Sequence, residues 1–256
     1  MGFISSSALL VAGLFFGMIL LFEVGRRAAV RQMRTDTEGT HSGTGVIESA
    51  VFGLLALLVG FTFLGAAERF DHRRDLVVDE ANKIGTAYLR LDMLGGAERA
   101  SIQEAFRTYL DSRLDFYRNL TDETTAVQNL QETQALQLKI WQDVVAASKT
   151  NPDASRLILP ALNEMIDITT TRTMAMRMHP PMIIFVMLFG IALASALFAG
   201  HGMAKARKRN WLHIGGFAAV MAISIYVILD MEYPRQGLIR VDEFDQALVE
   251  VRQSMK

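Results

Sequence analysis

Residues 53–82, "GLLALLVGFTFLGAAERFDHRRDLVVDEAN", pass from an uncharged apolar run into dense charge with no proline and no turn cluster between them. A plain membrane anchor has no use for such continuity. A helix that crosses a bilayer, lines something there and continues out of it does. Residues 46–67 carry Glu48 as their one charged side chain, and the stretches 2–22, 180–200 and 210–229 carry none. Each run is close to the ~20 residues that take an α-helix across a hydrocarbon core about 30 Å thick. Four such runs among 256 residues, with 51% hydrophobic residues and a mean hydropathy of +0.23, point to an all-α, multi-pass membrane protein.

The first run has no basic residue before it and "GRRAAVRQMR" after it. That is the reverse of a secretory leader, so the run reads as a retained membrane helix. The absence of cysteine removes disulfide frameworks, thiolate metal sites and cysteine nucleophiles. A net charge of -1 argues against a nucleic-acid partner. No nucleophile elbow, phosphate loop or dinucleotide fingerprint occurs, and His41, His72, His179, His201 and His213 fall in no ligand motif. The expectation is a protein with no catalytic residues, no metal and no cofactor.

The periodicity divides the chain into a first membrane hairpin over 1–67 (helices about 3–23 and 46–67), an extramembrane helical domain over 68–179, a second hairpin over 180–230 (helices about 180–200 and 211–230), and a C-terminal turn with an amphipathic helix over 231–256. Within the domain, Val77, Ala81, Ile84, Tyr88 and Leu91 form one apolar stripe, which "LGGAE" interrupts. Ile102, Phe106, Tyr109, Leu110, Leu114 and Tyr117 form a second. "TDET" at 121–124 supplies an N-terminal signal for a third helix through Leu130, Leu138, Trp141 and Val145. A fourth, after "KTNPDAS", carries Leu157, Leu162, Met165 and Ile168, with Pro160 as a candidate kink. "HPP" at 179–181 opens the third membrane run.

On α-helical spacing Gly53, Leu57 and Phe61 share one broad face. Two readings stand: an apolar constriction that gates ions by dewetting, or ordinary helix packing, since Gly53, Gly60 and Ala67 also make a small-residue seam. Glu48, within a turn of the helix start, suits the helix dipole there. Glu23 and Arg27 read as a surface i,i+4 pair. The "DHRRD" cluster at 71–75 reads as a solvated segment just outside the bilayer.

The stretch "GFTFLGAAERFDHRR", with "EANKIGTAYLRLD", "HPP" and "LDMEYPRQG", is similar to the bestrophin-like domain family of bacterial membrane proteins, and more distantly resembles the bestrophin ion channels. The resemblance implies a homo-oligomer, a pentamer, in a bacterial inner (plasma) membrane, whose second helices surround a pore for small ions. Animal bestrophins conduct chloride under calcium control, and bacterial ones can favour cations. Carried over residue by residue, the family's neck falls on Gly53, Leu57 and Phe61; Gly53 departs from the pattern by leaving one ring of the neck without a side chain. The acidic calcium site of the family has no clear counterpart. The alternative function is a non-conducting membrane sensor or scaffold that binds a partner through the helical domain. Basic residues after the first helix, Arg26, Arg27, Arg31 and Arg34, favour short loops in the cytoplasm, whereas the resemblance implies a cytoplasmic helical domain.

Overall fold

In the computed structural model, which describes residues 3–35, 44–119, 123–206 and 209–255, the chain forms eight α-helices among the described residues and no strand. They are α1 (Phe3–Thr35), α2 (Thr44–Arg90), α3 (Gly96–Arg118), α4 (Glu123–Ser148), α5 (Pro152–Arg177), α6 (Met182–Gly202), α7 (Trp211–Glu232) and α8 (Gln246–Ser254). Four of the helical spans are long and apolar enough to cross a membrane. The chain divides into a membrane unit, residues 1–70 with 179–239, and a helical unit, residues 71–178 with 240–256. Helix α2 runs from one into the other without a break. His41 and the Thr121–Asp122 part of the expected cap lie outside the described residues.

In the membrane unit, α1 and α6 approach to backbone contact. A Cβ at Gly25 would overlap the Leu197 carbonyl oxygen, and one at Gly200 would overlap that of Phe22. Ala192, Ser195, Ala196 and Gly200 of α6 are buried against this crossing. Small residues let membrane helices come this close because packing, not water exclusion, drives association in lipid. α1 also outlasts its apolar run: "EVGRRAAVRQMRT", rich in the helix formers Arg, Ala, Gln and Met, extends it to Thr35.

In the helical unit, α3, α4, α5, α8 and the second half of α2 enclose one core. The first two apolar stripes are buried throughout. Gly96 opens α3 at φ +73, a backbone region that favours glycine, and Asn151 caps α5 by accepting from the Ala154 N–H at 3.2 Å. α5 passes through Pro160 as one continuous helix.

Two expected stripes are corrected. Leu138 and Leu157 are exposed. The inward face of α4 runs instead through Thr133, Gln137, Ile140 and Val144, and that of α5 through Ile158, Leu162, Met165 and Ile168. The cause on α4 is polar pairing. Thr133 hydrogen-bonds Ser112 at 3.0 Å, and the Gln137 amide donates to Tyr109 Oη at 3.3 Å and Thr169 Oγ1 at 3.0 Å. Buried polar groups with partners are tolerated, and hydrophobic periodicity does not register them.

Candidate functional site

α2 has a packed side and an open side. In the membrane unit Leu55, Thr62 and Ala66 point inward, and Thr62 returns its hydroxyl to the Leu58 carbonyl at 2.6 Å. Gly53, Leu57, Gly60, Phe61 and Leu64 point outward, with Leu57 54% and Phe61 66% exposed. A Cβ on Gly53 or Gly60 would meet nothing within 4 Å. The seam Gly53, Gly60, Ala67 is therefore not the one this chain packs on; Gly25 and Gly200 are. In the helical unit the alternation persists along the helix: Val77, Glu80, Ile84, Ala87 and Leu91 are buried, while Asp75, Val78, Asn82, Thr86 and Leu89 are exposed. Thus Gly53, Leu57 and Phe61 share one face, and the helices of their own unit leave that face uncovered.

Each end of the membrane unit is tied by charge. At the α2 start, Glu48 Oε1 lies 3.6 Å from His201 Nδ1 at the end of α6. Beside it, Glu23 receives Arg27 at 2.8 Å and Arg209 at 2.9 Å, so the expected i,i+4 pair is present and shared with the start of α7. At the other end, three motifs that carry the family resemblance meet. Arg69 of "GAAERF" donates to Glu232 of "LDMEYPRQG" from Nε at 2.9 Å and again from Nη2. His179 of "HPP" lies 3.5 Å from the same carboxylate and stacks on Tyr233 at 4.5 Å. Asp230, buried, accepts the backbone N–H groups of Leu238 at 2.9 Å and Ile239 at 2.6 Å, which folds the turn. A side chain at Gly237 would overlap that carboxylate and displace it from the turn it folds.

The helical unit holds its own charge cluster. Glu80, fully buried, receives Arg113 Nε at 2.7 Å, Arg172 Nη1, and the Tyr117 hydroxyl at 3.0 Å. Arg172 also reaches Asp245 at 3.0 Å and stacks over Tyr117 at 3.6 Å. Burial alone would push the Glu80 carboxyl up, but the guanidinium groups of Arg113 and Arg172 outweigh it and hold the pKa below the ordinary carboxylate value. Burial raises the Tyr117 phenol, which stays neutral. The 71–75 cluster is not simply solvated. Arg73 is buried and donates to the Ala175 carbonyl at 3.2 Å and the Met178 carbonyl at 2.7 Å, satisfying the last turn of α5. Arg74 lies over Phe244 at 4.3 Å.

Apart from the Glu23–Arg27 pair, none of these ties was singled out from sequence, yet a signal existed. Glu80, Arg113 and Arg172 occupy apolar-stripe positions, three or four residues from Val77 and Ile84, from Leu110 and Tyr117, and from Ile168. A charge at such a position requires a buried partner. No group of three or more His, Asp or Glu able to hold a metal occurs among the described residues. The tail acids face arginines instead, Asp242 to Arg240 and Asp245 to Arg172.

Four membrane-length helices, one of which leaves an apolar face exposed, together with a charge-tied helical unit, define a multi-pass all-α membrane protein. A bestrophin-like domain matches residues 9–244, and the chain belongs to that family. Its fold is similar to crystal structures of two point variants of a bacterial bestrophin homologue from Klebsiella pneumoniae. The TM-scores are 0.68 and 0.65 at 13% identity, with 94% and 95% of this chain and 99% and 98% of those chains covered. No curated protein matches the sequence.

Proposed function

We propose that this chain is one subunit of a homo-oligomeric ion channel, a pentamer of the bestrophin type, in which the open face of α2 lines the pore. The observation that carries the reading is that face itself. It is apolar across the membrane at Leu57 and Phe61, and no helix of its own unit covers it. Rings of Leu57 and Phe61 around a symmetry axis would form a dewetting neck, with Gly53 leaving the ring above them wide. Further along α2, Glu68, Asp71 and Asp75 are exposed, and carboxylates repeated around an axis concentrate cations. The permeant ions on this reading are small cations in a bacterial inner membrane.

The second reading, a non-conducting sensor or scaffold, draws on Gly53 and Gly60, which leave a shallow strip where a partner helix could lie. Cross-linking in mild detergent together with bilayer reconstitution separates the two. A ring of about five copies with cation-selective current supports the channel. A dimer or a hetero-complex without current across ions and pH supports the scaffold.

A further inference from the structure

The membrane unit carries a basic surface that the pore reading does not use. α1 leaves its apolar run at Phe22 and continues as helix to Thr35, about 13 residues or roughly 20 Å beyond it. Arg27, Arg31 and Arg34 follow at i, i+4 and i+7, so they share one face of that extension, and all three are exposed. Among the described residues Glu23 is the one carboxylate paired to this group, and Arg27 and Arg209 share it. Among the described residues the guanidinium groups of Arg31 and Arg34 have no ion-pair or hydrogen-bond partner. The Glu23–Arg209 bridge sets the start of α7 beside α1. There Trp211 and Leu212 are exposed, two residues after Arg209, and an exposed tryptophan at a membrane-helix end marks the headgroup level. The sequence of residues 201–213 contains no acid.

We propose that this face, Arg27, Arg31 and Arg34 of α1 with Arg209 at the start of α7, binds the phosphates of anionic phospholipid headgroups. The chemistry fits because guanidinium forks match phosphate oxygens. The placement fits because Arg27 and Arg209 stand just outside a membrane helix near the level a tryptophan marks, where cations meet headgroups, and Arg31 and Arg34 follow about one and two turns farther out on the same face. The helical extension holds the arginines at fixed spacing, and the shared carboxylate leaves the surface with excess positive charge. The binding does not depend on conduction, so it stands or falls separately from the channel.

The test uses the full-length protein in a neutral detergent, titrated with dioleoyl-phosphatidylglycerol or with dioleoyl-phosphatidylcholine of the same chains, with retained lipid counted by native mass spectrometry. Wild type retains the anionic lipid preferentially, and added salt weakens the preference. Arg31→Gln with Arg34→Gln weakens anionic-lipid retention about fivefold for each cation removed, and Arg31→Lys with Arg34→Lys, which keeps the charge but loses the fork, restores part of it. Both pairs sit on an exposed face, and unchanged gel-filtration elution checks that they fold. Equal retention of the two lipids by wild type overturns the proposal. So does an undiminished anionic preference in the glutamine pair, which would place the lipid elsewhere. Displacement by millimolar inorganic phosphate with no lipid preference would make the surface a free-phosphate site, and would overturn it too.

Discussion

Within the membrane unit, two apolar helices of similar composition are treated in opposite ways. α1 is pressed onto α6 until carbonyls fill the space that a methyl group would need, at Gly25 and Gly200. α2 also carries glycines, Gly53 and Gly60, and they touch nothing. Glycine in a membrane helix therefore has no single meaning; what faces it decides. The α1–α6 crossing is finished inside the chain, whereas the face of α2 bearing Leu57 and Phe61 is left uncovered by the helices of its own unit. In water such a face would be an aggregation hazard, and in a bilayer it is stable against lipid but specific only against other copies or a lumen.

The comparison breaks most visibly at the glycines. Gly25→Leu or Gly200→Leu forces a side chain into a backbone carbonyl, and the helices must part. The expected cost exceeds ~3 kcal/mol, seen as loss of the monodisperse peak in detergent. Gly53→Leu and Gly60→Leu should leave that peak in place. Equal damage at all four positions would mean that α2 is packed as tightly as α1.

The packed side of α2 gives the next largest effect. Glu80→Gln leaves Arg113 buried without its counter-charge and Arg172 with Asp245 alone, at a cost of about 3–5 kcal/mol. Thermal unfolding followed by the fluorescence of Trp141, which packs against the helical core, should report it in a Trp211→Phe background. The pH dependence has a definite sign. The folded Glu80 pKa lies below the ordinary value, so its contribution is complete above the unfolded pKa near 4.5 and is lost as pH falls through the lower, folded one. Wild type should lose helical-unit stability in that acid window, and Glu80→Gln should lose less over the same window.

The open side gives the smallest effect on stability. Leu57→Ala with Phe61→Ala removes side chains already more than half exposed, so unfolding should shift by less than ~1 kcal/mol, against 2–5 for each if they were core. Reconstituted current should rise, because the barrier of a dewetted neck is the cost of wetting it. A collapse of the fold with no change in current would make them packing residues instead.

The membrane runs, the continuity of α2 and the first two stripes of the helical unit were legible, because hydrophobic period and run length report burial directly. Leu57 and Phe61 could be placed on one face from spacing alone; that the chain leaves the face open could not, since exposure depends on where α1, α6 and α7 go. The meeting of Arg69, His179 and Glu232 was hidden for a related reason. Its members lie more than a hundred residues apart on the chain from Arg69 onward, and no local pattern pairs them. Thr133 and Gln137 misled the reading of α4, because a polar residue that finds a buried partner counts as surface in any hydropathy scale.

The central claim is that the Phe61 face of α2 lines the ion path. The sequence contains no cysteine, so Phe61→Cys introduces the protein's one thiol and Phe16→Cys, on a similarly exposed site of α1, provides the control. Both are reconstituted and exposed to a membrane-impermeant cationic thiosulfonate during single-channel recording. The account predicts stepwise current reduction for Phe61→Cys, one step per subunit modified, and steady current for Phe16→Cys. Steady current at Phe61→Cys, with its thiol no more reactive than that at position 16, would contradict it.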